Sequence, residues 1–192
     1  MTLISTASQV LSALRQENVK GCIVGGLAVS ARCDPRFTRD VDIAVVVDTD
    51  EHAEALIHAL ASHGLRMAGL VEQEAVGRLA MARLSTQDGL SVDLLIASSG
   101  IETEVVMNAE ILEVVQGVLL PVARTGHLIA LKLLSVAPAR ETDATDLRNL
   151  ATIATQDEWN LASEAVVQIQ VRAFARGRRL DAELLVLRDP TL

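Results

Sequence analysis

Tyrosine is absent from this 192-residue chain, and its aromatic residues are one Trp and two Phe. So few rings exclude a platform on which successive bases of a single strand could stack. Cysteine is nearly as scarce. Cys22 and Cys33 are too few for a disulfide framework and lack metal-ligand spacing. Cys22 lies in an apolar run and reads as a buried free thiol. Four Pro and 11 Gly exclude collagen-like and low-complexity chains. No run reaches about 18 uncharged apolar residues, so no membrane span is expected. Basic residues are outnumbered 17 to 25, for a formal net charge of -8. That balance excludes a broadly basic nucleic-acid coat. Any contact with nucleic acid must come through a local patch.

What is present is apolar. Half of the residues are hydrophobic and the charges are interspersed, which excludes disorder. The length suits one domain with its own core, or one domain with a helical extension. The opening MTLISTASQVLSALRQENVK has no basic start and no long apolar stretch. It reads as an amphipathic helix rather than a signal peptide, so a cytoplasmic location is expected.

Periodicity gives a coarse map. Residues 5–17 read as a helix capped by Ser5 or Thr6. Residues 20–24 form a short strand that Gly25-Gly26 breaks, and 27–33 a short helix. The clearest strand is 41–47, β-branched and bounded by charge. Thr49 caps a helix to about His63, which Gly64 stops. Strands 78–84 and 90–97 flank Thr86-Gln87-Asp88-Gly89, a hairpin signal. Residues 110–116 and 118–123 look extended. After Arg124 the pattern turns helical: 126–136 ended by Pro138, 142–154 capped by Thr142, 157–176 ended by Gly177, and a last helix near 181–188. A mixed α/β half over 1–123 and a helical half over 124–192 are therefore expected to pack together around a cleft.

Carboxylates mark the first half. Asp40 and Asp42 alternate with Val41 along one strand, so both side chains point to the same face. Two such carboxylates repel, and a bound divalent cation removes that cost. A solvated strand end would give the same pattern. Asp93 sits inside the apolar run Leu90–Ala97, where a charge is costly unless paired or coordinated. A neighbouring strand would bring it beside Asp40 and Asp42. Gly25-Gly26, 14 residues before Asp40, follows a strand and opens a helix. Such a turn can present backbone N–H groups to a phosphate, or be simply a turn.

Cations are rarer. Lys132 is the only Lys after residue 20, set in Leu-Ile-Ala-Leu-Lys-Leu-Leu. It either snorkels to solvent or faces the cleft to neutralise phosphate. Asp143 and Asp146 lie at i, i+3, with Arg140 three residues earlier, as a local ion-pair ladder or part of a site. Residues 1–123 hold 8 basic and 16 acidic residues, against 9 and 9 in the remainder, so the whole net charge lies in the first half. Residues 165–180 contain Arg172, Arg176, Arg178 and Arg179 and no acid. Arg172 and Arg176 are expected on one helix face. The stretch reads as a phosphate-backbone patch or as a solvated helix end.

Together these segments resemble the DNA polymerase β nucleotidyltransferase superfamily, and within it the AbiEii-like and MenT-like toxins. Val24-Gly25-Gly26-Leu27-Ala28-Val29-Ser30-Ala31-Arg32 resembles their first motif. Arg36-Phe37-Thr38-Arg39-Asp40-Val41-Asp42-Ile43 resembles their second, the apolar helix around Lys132 their third, and Arg140 to Leu150 their fourth. The match covers residues 20–150 in order. The resemblance implies an α+β fold: a small mixed sheet flanked by helices, followed by a C-terminal helical bundle. It implies Mg²⁺-dependent (or Mn²⁺-dependent) transfer of a nucleotide from an NTP to an acceptor hydroxyl, with pyrophosphate leaving. Asp40 and Asp42 become metal ligands, and Asp93 a metal ligand or a base toward the acceptor. Gly25, Gly26 and Lys132 become phosphate ligands and Asp146 an active-site acid. Thr38 orients a phosphate or caps the strand, and Arg36 and Arg39 meet phosphates. The implied acceptor is the tRNA 3′ end, the implied role that of a toxin with an antitoxin partner. A small-molecule acceptor, as in antibiotic-modifying relatives, and a silent interaction protein of the same fold are the alternatives. The chain is short for the family, and its lack of Tyr and near-lack of Phe leave base recognition unassigned.

Overall fold

A computed structural model of the chain describes residues 2–74, 76–136, 141–189 and 191. The first helix, α1 (Leu3–Gln16), begins earlier than periodicity suggests, because Thr2 is its cap. The Thr2 hydroxyl accepts from the Ser5 N–H while the Ser5 hydroxyl accepts from the Thr2 N–H, a reciprocal capping box. Ser5 and Thr6 thus lie inside the helix. β1 (Gly21–Val24) runs without a loop into α2 (Gly25–Arg32), and β2 spans Asp40–Val45. Thr49 caps α3 (Asp50–Ser62), and Gly64 follows its end at φ +82°. β4 (Arg78–Ser85) and β5 (Ser91–Leu95) flank the expected turn, closed by Gly89 N–H to Thr86 O at 3.0 Å. β6 (Glu110–Val115), β7 (Val118–Val122), α5 (Thr125–Ser135), α6 (Glu141–Ile153), α7 (Gln156–Val171) and α8 (Leu180–Arg188) complete the expected set.

Two elements carry no clear periodic signal. β3 (Arg66–Gln73) is an edge strand with both faces largely in water, so it shows no apolar alternation. α4 (Glu102–Met107) has only 6 residues. Thr142 lies within the first turn of α6 rather than capping it. The stop at Pro138 and the side chain of Arg140 fall outside the described residues. α7 ends five residues before the expected position. Ala173 adopts φ 66° and the Phe174 N–H reaches back to Ile169 O at 2.9 Å, closing the helix at Arg172. Arg176 (φ 54°) lies beyond that break, so Arg172 and Arg176 do not share a helix face.

The result is an α+β architecture. One mixed sheet has the order β3-β4-β5-β2-β1-β7-β6, with β2 parallel to β5 and β1 parallel to β7. Leu14, Ile23, Ile43, Leu94 and Ile129 are fully buried within a single core shared by sheet and helices. Each such side chain contributes roughly 1.5–3 kcal/mol of burial free energy. α5 packs on α2, α6, α7 and α8, which places Lys132 beside the central strands.

Candidate active site

Strand register builds the centre. Asp42 pairs with Asp93 across the parallel β2–β5 ladder, and Asp40 stands two residues away on the same face. The three carboxylates offer oxygens that all lie within 4.8 Å of one another. Asp93 is 4% exposed; Asp40 and Asp42 are partly buried. On the other side of β2, Val24 pairs with Asp42 in the antiparallel ladder, so the turn after β1 falls beside the same carboxylate. Gly25 sits there at φ +61°, and a Cβ on it would meet Asp42 Oδ2 at 1.8 Å. Only glycine fits. Val24, the residue just before α2, supplies no side-chain cap, and the Gly26 N–H bonds instead to Asp42.

Charge crowding has a measurable consequence. Burial, then Asp40, then Asp93 push the Asp42 carboxyl up to about 7, against weaker opposition from Lys132 and the Gly26 N–H. Among the described residues neither Asp40 nor Asp42 has an ion-pair partner, and Asp40 accepts only from Thr38 Oγ1 at 2.9 Å. Asp93 is different. Arg83, opposite it on β4, grips both its oxygens at 2.8 and 2.7 Å. Sequence reasoning missed this residue, although it carries the signal that marks Asp93: a lone charge in an apolar strand. Three converging carboxylates form an all-oxygen donor set that suits a hard divalent cation.

A second network closes the cleft. Arg36 donates to Asp146 through Nε (2.6 Å) and Nη2 (2.7 Å), and Lys132 Nζ reaches Asp143 at 2.7 Å and Asp146 at 2.8 Å. Asp146 is fully buried and Lys132 is 9% exposed. Lys132 therefore neither snorkels nor stands free: two carboxylates hold its ammonium. The cavity is about 450 Å³, and Gly25, Gly26, Arg36, Thr38, Asp40, Asp42, Asp93 and Lys132 all line it, with Arg83, Ser98 and Asp143 in addition. A larger groove of about 1170 Å³ crosses α1 through Ser5, Ser8, Gln9 and Ser12, but has no carboxylate, Lys or Arg in its lining. The smaller cavity is therefore the candidate site.

The remaining arginines lie elsewhere. Arg39 is exposed, its guanidinium 5.7 Å from the Phe37 ring centroid. Arg172 pairs with Glu104 and also donates to Gly100 O. Arg178 pairs with Glu183, and Arg179 with Asp181. Arg176 donates to Ser98 O at 3.3 Å. The stretch is acid-free in sequence but three of its four charges meet acids in space.

No protein-family model matches the chain, and no curated protein matches it in sequence. Solved structures do match. An antigenic nucleotidyltransferase-like protein from Paracoccidioides brasiliensis superposes with a TM-score of 0.52 at 19% identity, covering 95% of this chain and 92% of that one. A candidate nucleotidyltransferase from Thermotoga maritima gives 0.50 at 16% identity, covering 79% and 93%. At such identities the likeness concerns the fold: a mixed sheet flanked by helices of the nucleotidyltransferase type. No helix among the described residues is long and apolar enough to cross a membrane.

Proposed function

We propose that the chain is a nucleotidyltransferase that moves a nucleotide from an NTP to an acceptor hydroxyl. The observation that carries this reading is the register that sets Asp42 opposite Asp93, with Asp40 on the same face and the Gly25-Gly26 turn alongside. The acceptor oxygen forms a bond to the α-phosphorus, the bond to the bridging oxygen breaks, and pyrophosphate leaves. Asp40, Asp42 and Asp93 would hold Mg²⁺, which supplies positive charge to the transferring phosphoryl and leaving oxygens. Asp42, with its raised proton affinity, would lose its proton to solvent when the cation is held there. The start of α2, which Val24 leaves without a side-chain cap, would offer its N–H groups to the leaving phosphates, with Gly26 exchanging its bond to Asp42. Arg36 and Lys132, held by Asp146 and Asp143, form a fixed wall of compensated charge. Asp93 accepts the acceptor's proton or holds metal, once Arg83 yields one of its oxygens.

The acceptor in this reading is the tRNA 3′ end, and the biological role that of a toxin held in check by an antitoxin. The motif resemblance supports it. In space, Arg39 and Arg176 are the cations of the relevant stretches without a carboxylate partner among the described residues. A small-molecule acceptor is the second reading. The pairing of Arg172, Arg178 and Arg179 with acids favours it, because paired arginines release few counterions from a nucleic acid. Labelling of total tRNA by each α-labelled NTP, before and after changing Arg172, Arg176, Arg178 and Arg179 to Glu, separates the two. Loss of labelling with a retained fold supports tRNA contact by this stretch. Undiminished labelling removes the stretch from the interface, and absence of tRNA labelling alongside labelled small acceptors favours the second reading.

A further inference from the structure

Phe37 is the one exposed aromatic residue of the chain. It is 78% exposed, whereas Phe174 is 8% exposed and Trp159 is half-buried beside Arg188. A single exposed apolar residue is ordinary on a surface. The setting of this one is not. Its neighbours Arg36 and Thr38 both line the carboxylate cavity. Its own carbonyl accepts from Arg36 Nη1 at 2.9 Å, and Arg36 is clamped on buried Asp146. On the other side Thr38 is tied to Asp40 at 2.9 Å. The backbone of Phe37 is thus fixed to the site at both ends while the ring stands in solvent. Arg39 lies over that ring and has no carboxylate partner among the described residues. A ring on a tethered backbone, beside a cation with no carboxylate partner and next to the residues that line the carboxylate cavity, offers a stacking face and a positive charge together.

We infer that Phe37 and Arg39 form a nucleobase platform, on which the base of the NTP or the terminal base of a nucleic-acid acceptor stacks as its phosphate approaches Asp40 and Asp42. This rests on the nucleotidyl-transfer reading and deepens it. It also answers how a chain with three rings recognises a base: a single stacking face serves, with Arg39 beside it.

The test has a binding arm that does not depend on turnover. Trp159→Phe combined with Phe37→Trp leaves one indole, at the platform. Each NTP with Mg²⁺, and separately a short oligoribonucleotide, is titrated against its fluorescence. Saturable quenching by NTP assigns the NTP base, and quenching by the oligoribonucleotide alone assigns the acceptor base. In the kinetic arm, Phe37→Ala raises KM for that same substrate about tenfold, the loss of one stacked base, with a smaller effect on kcat. Phe37→Tyr restores it. Absence of quenching by either ligand, or KM values for both substrates within about twofold of wild type in Phe37→Ala, overturns the platform. Failure of the wild-type protein to transfer any label, with quenching retained, would instead sink the transfer reading and leave the platform standing.

Discussion

Replacing Asp42 with Asn should stabilise the metal-free protein while abolishing its activity. Asp42 is raised from 3.8 to about 7 by burial and by Asp40 and Asp93. Each tenfold gain in proton affinity corresponds to about 1.4 kcal/mol, so the charged form carries a cost with a ceiling of about 4 kcal/mol. The carboxylate is partly accessible, and relaxation and water entry reduce the cost to about 2 kcal/mol. The sign follows from proton binding. Between pH 4 and 7 the folded protein holds a proton on Asp42 that the unfolded chain has lost, so stability falls as pH rises through that window. It is level again above. Asn is neutral throughout and keeps an acceptor for the Gly26 N–H. The gap between variant and wild type should shrink as pH falls toward and below 3.8, and the variant should melt about 4–8 °C higher at pH 8 with chelator present. Mg²⁺ at pH 8 should raise wild type and not the variant, closing the gap. Thermal melts of both proteins at two pH values, with chelator and with Mg²⁺, give the answer. A variant no more stable than wild type at pH 8 without metal would refute the charge-crowding argument.

Three further outcomes follow from the geometry. Gly25→Ala places a Cβ at 1.8 Å from Asp42 Oδ2 on a φ +61° backbone, so transfer should fall at least a hundredfold and stability by about 2 kcal/mol, checked by urea unfolding. Asp146→Asn leaves Arg36 and Lys132 without their shared buried carboxylate and should cost about 3 kcal/mol; a loss under about 1 kcal/mol in the same assay would contradict the network's role. Arg83→Gln frees Asp93 from its bidentate partner and should tighten Mn²⁺ binding about fivefold, the order of one exposed ion pair, measured by calorimetry on the metal alone. Unchanged Mn²⁺ affinity would mean that Arg83 does not compete for that carboxylate.

How far a residue could be read from sequence depended on whether its signal was local. Asp40 and Asp42 share a face because strands alternate, and that follows from two letters of spacing. Asp93 stands out as a charge in an apolar run. What made them neighbours, the parallel register of β2 on β5, is a long-range pairing that no window of sequence contains. Arg83 is legible by the same rule as Asp93 once β4 is seen to pair with β5. The arginine stretch is acid-free only along the chain: composition counts acids in sequence, whereas Arg172 meets Glu104 across 68 residues. α7 stops before its pattern predicts: its left-handed closing residue is Ala173 rather than a glycine, so the usual stop signal is missing. β3 and α4 were silent for physical reasons: one buries neither face and the other is barely a turn and a half long.

The central claim is that Asp40, Asp42 and Asp93 direct transfer of the α-phosphoryl nucleotide. The most direct measurement incubates the purified protein with Mg²⁺, total tRNA or small hydroxyl acceptors, and NTPs labelled at either the α- or the γ-phosphate. The account predicts label on the acceptor from the α-position only, lost in the Asp40→Ala, Asp42→Ala double variant. Label from the γ-position, transfer that survives in the double variant, or no α-label on any acceptor from any NTP would contradict it.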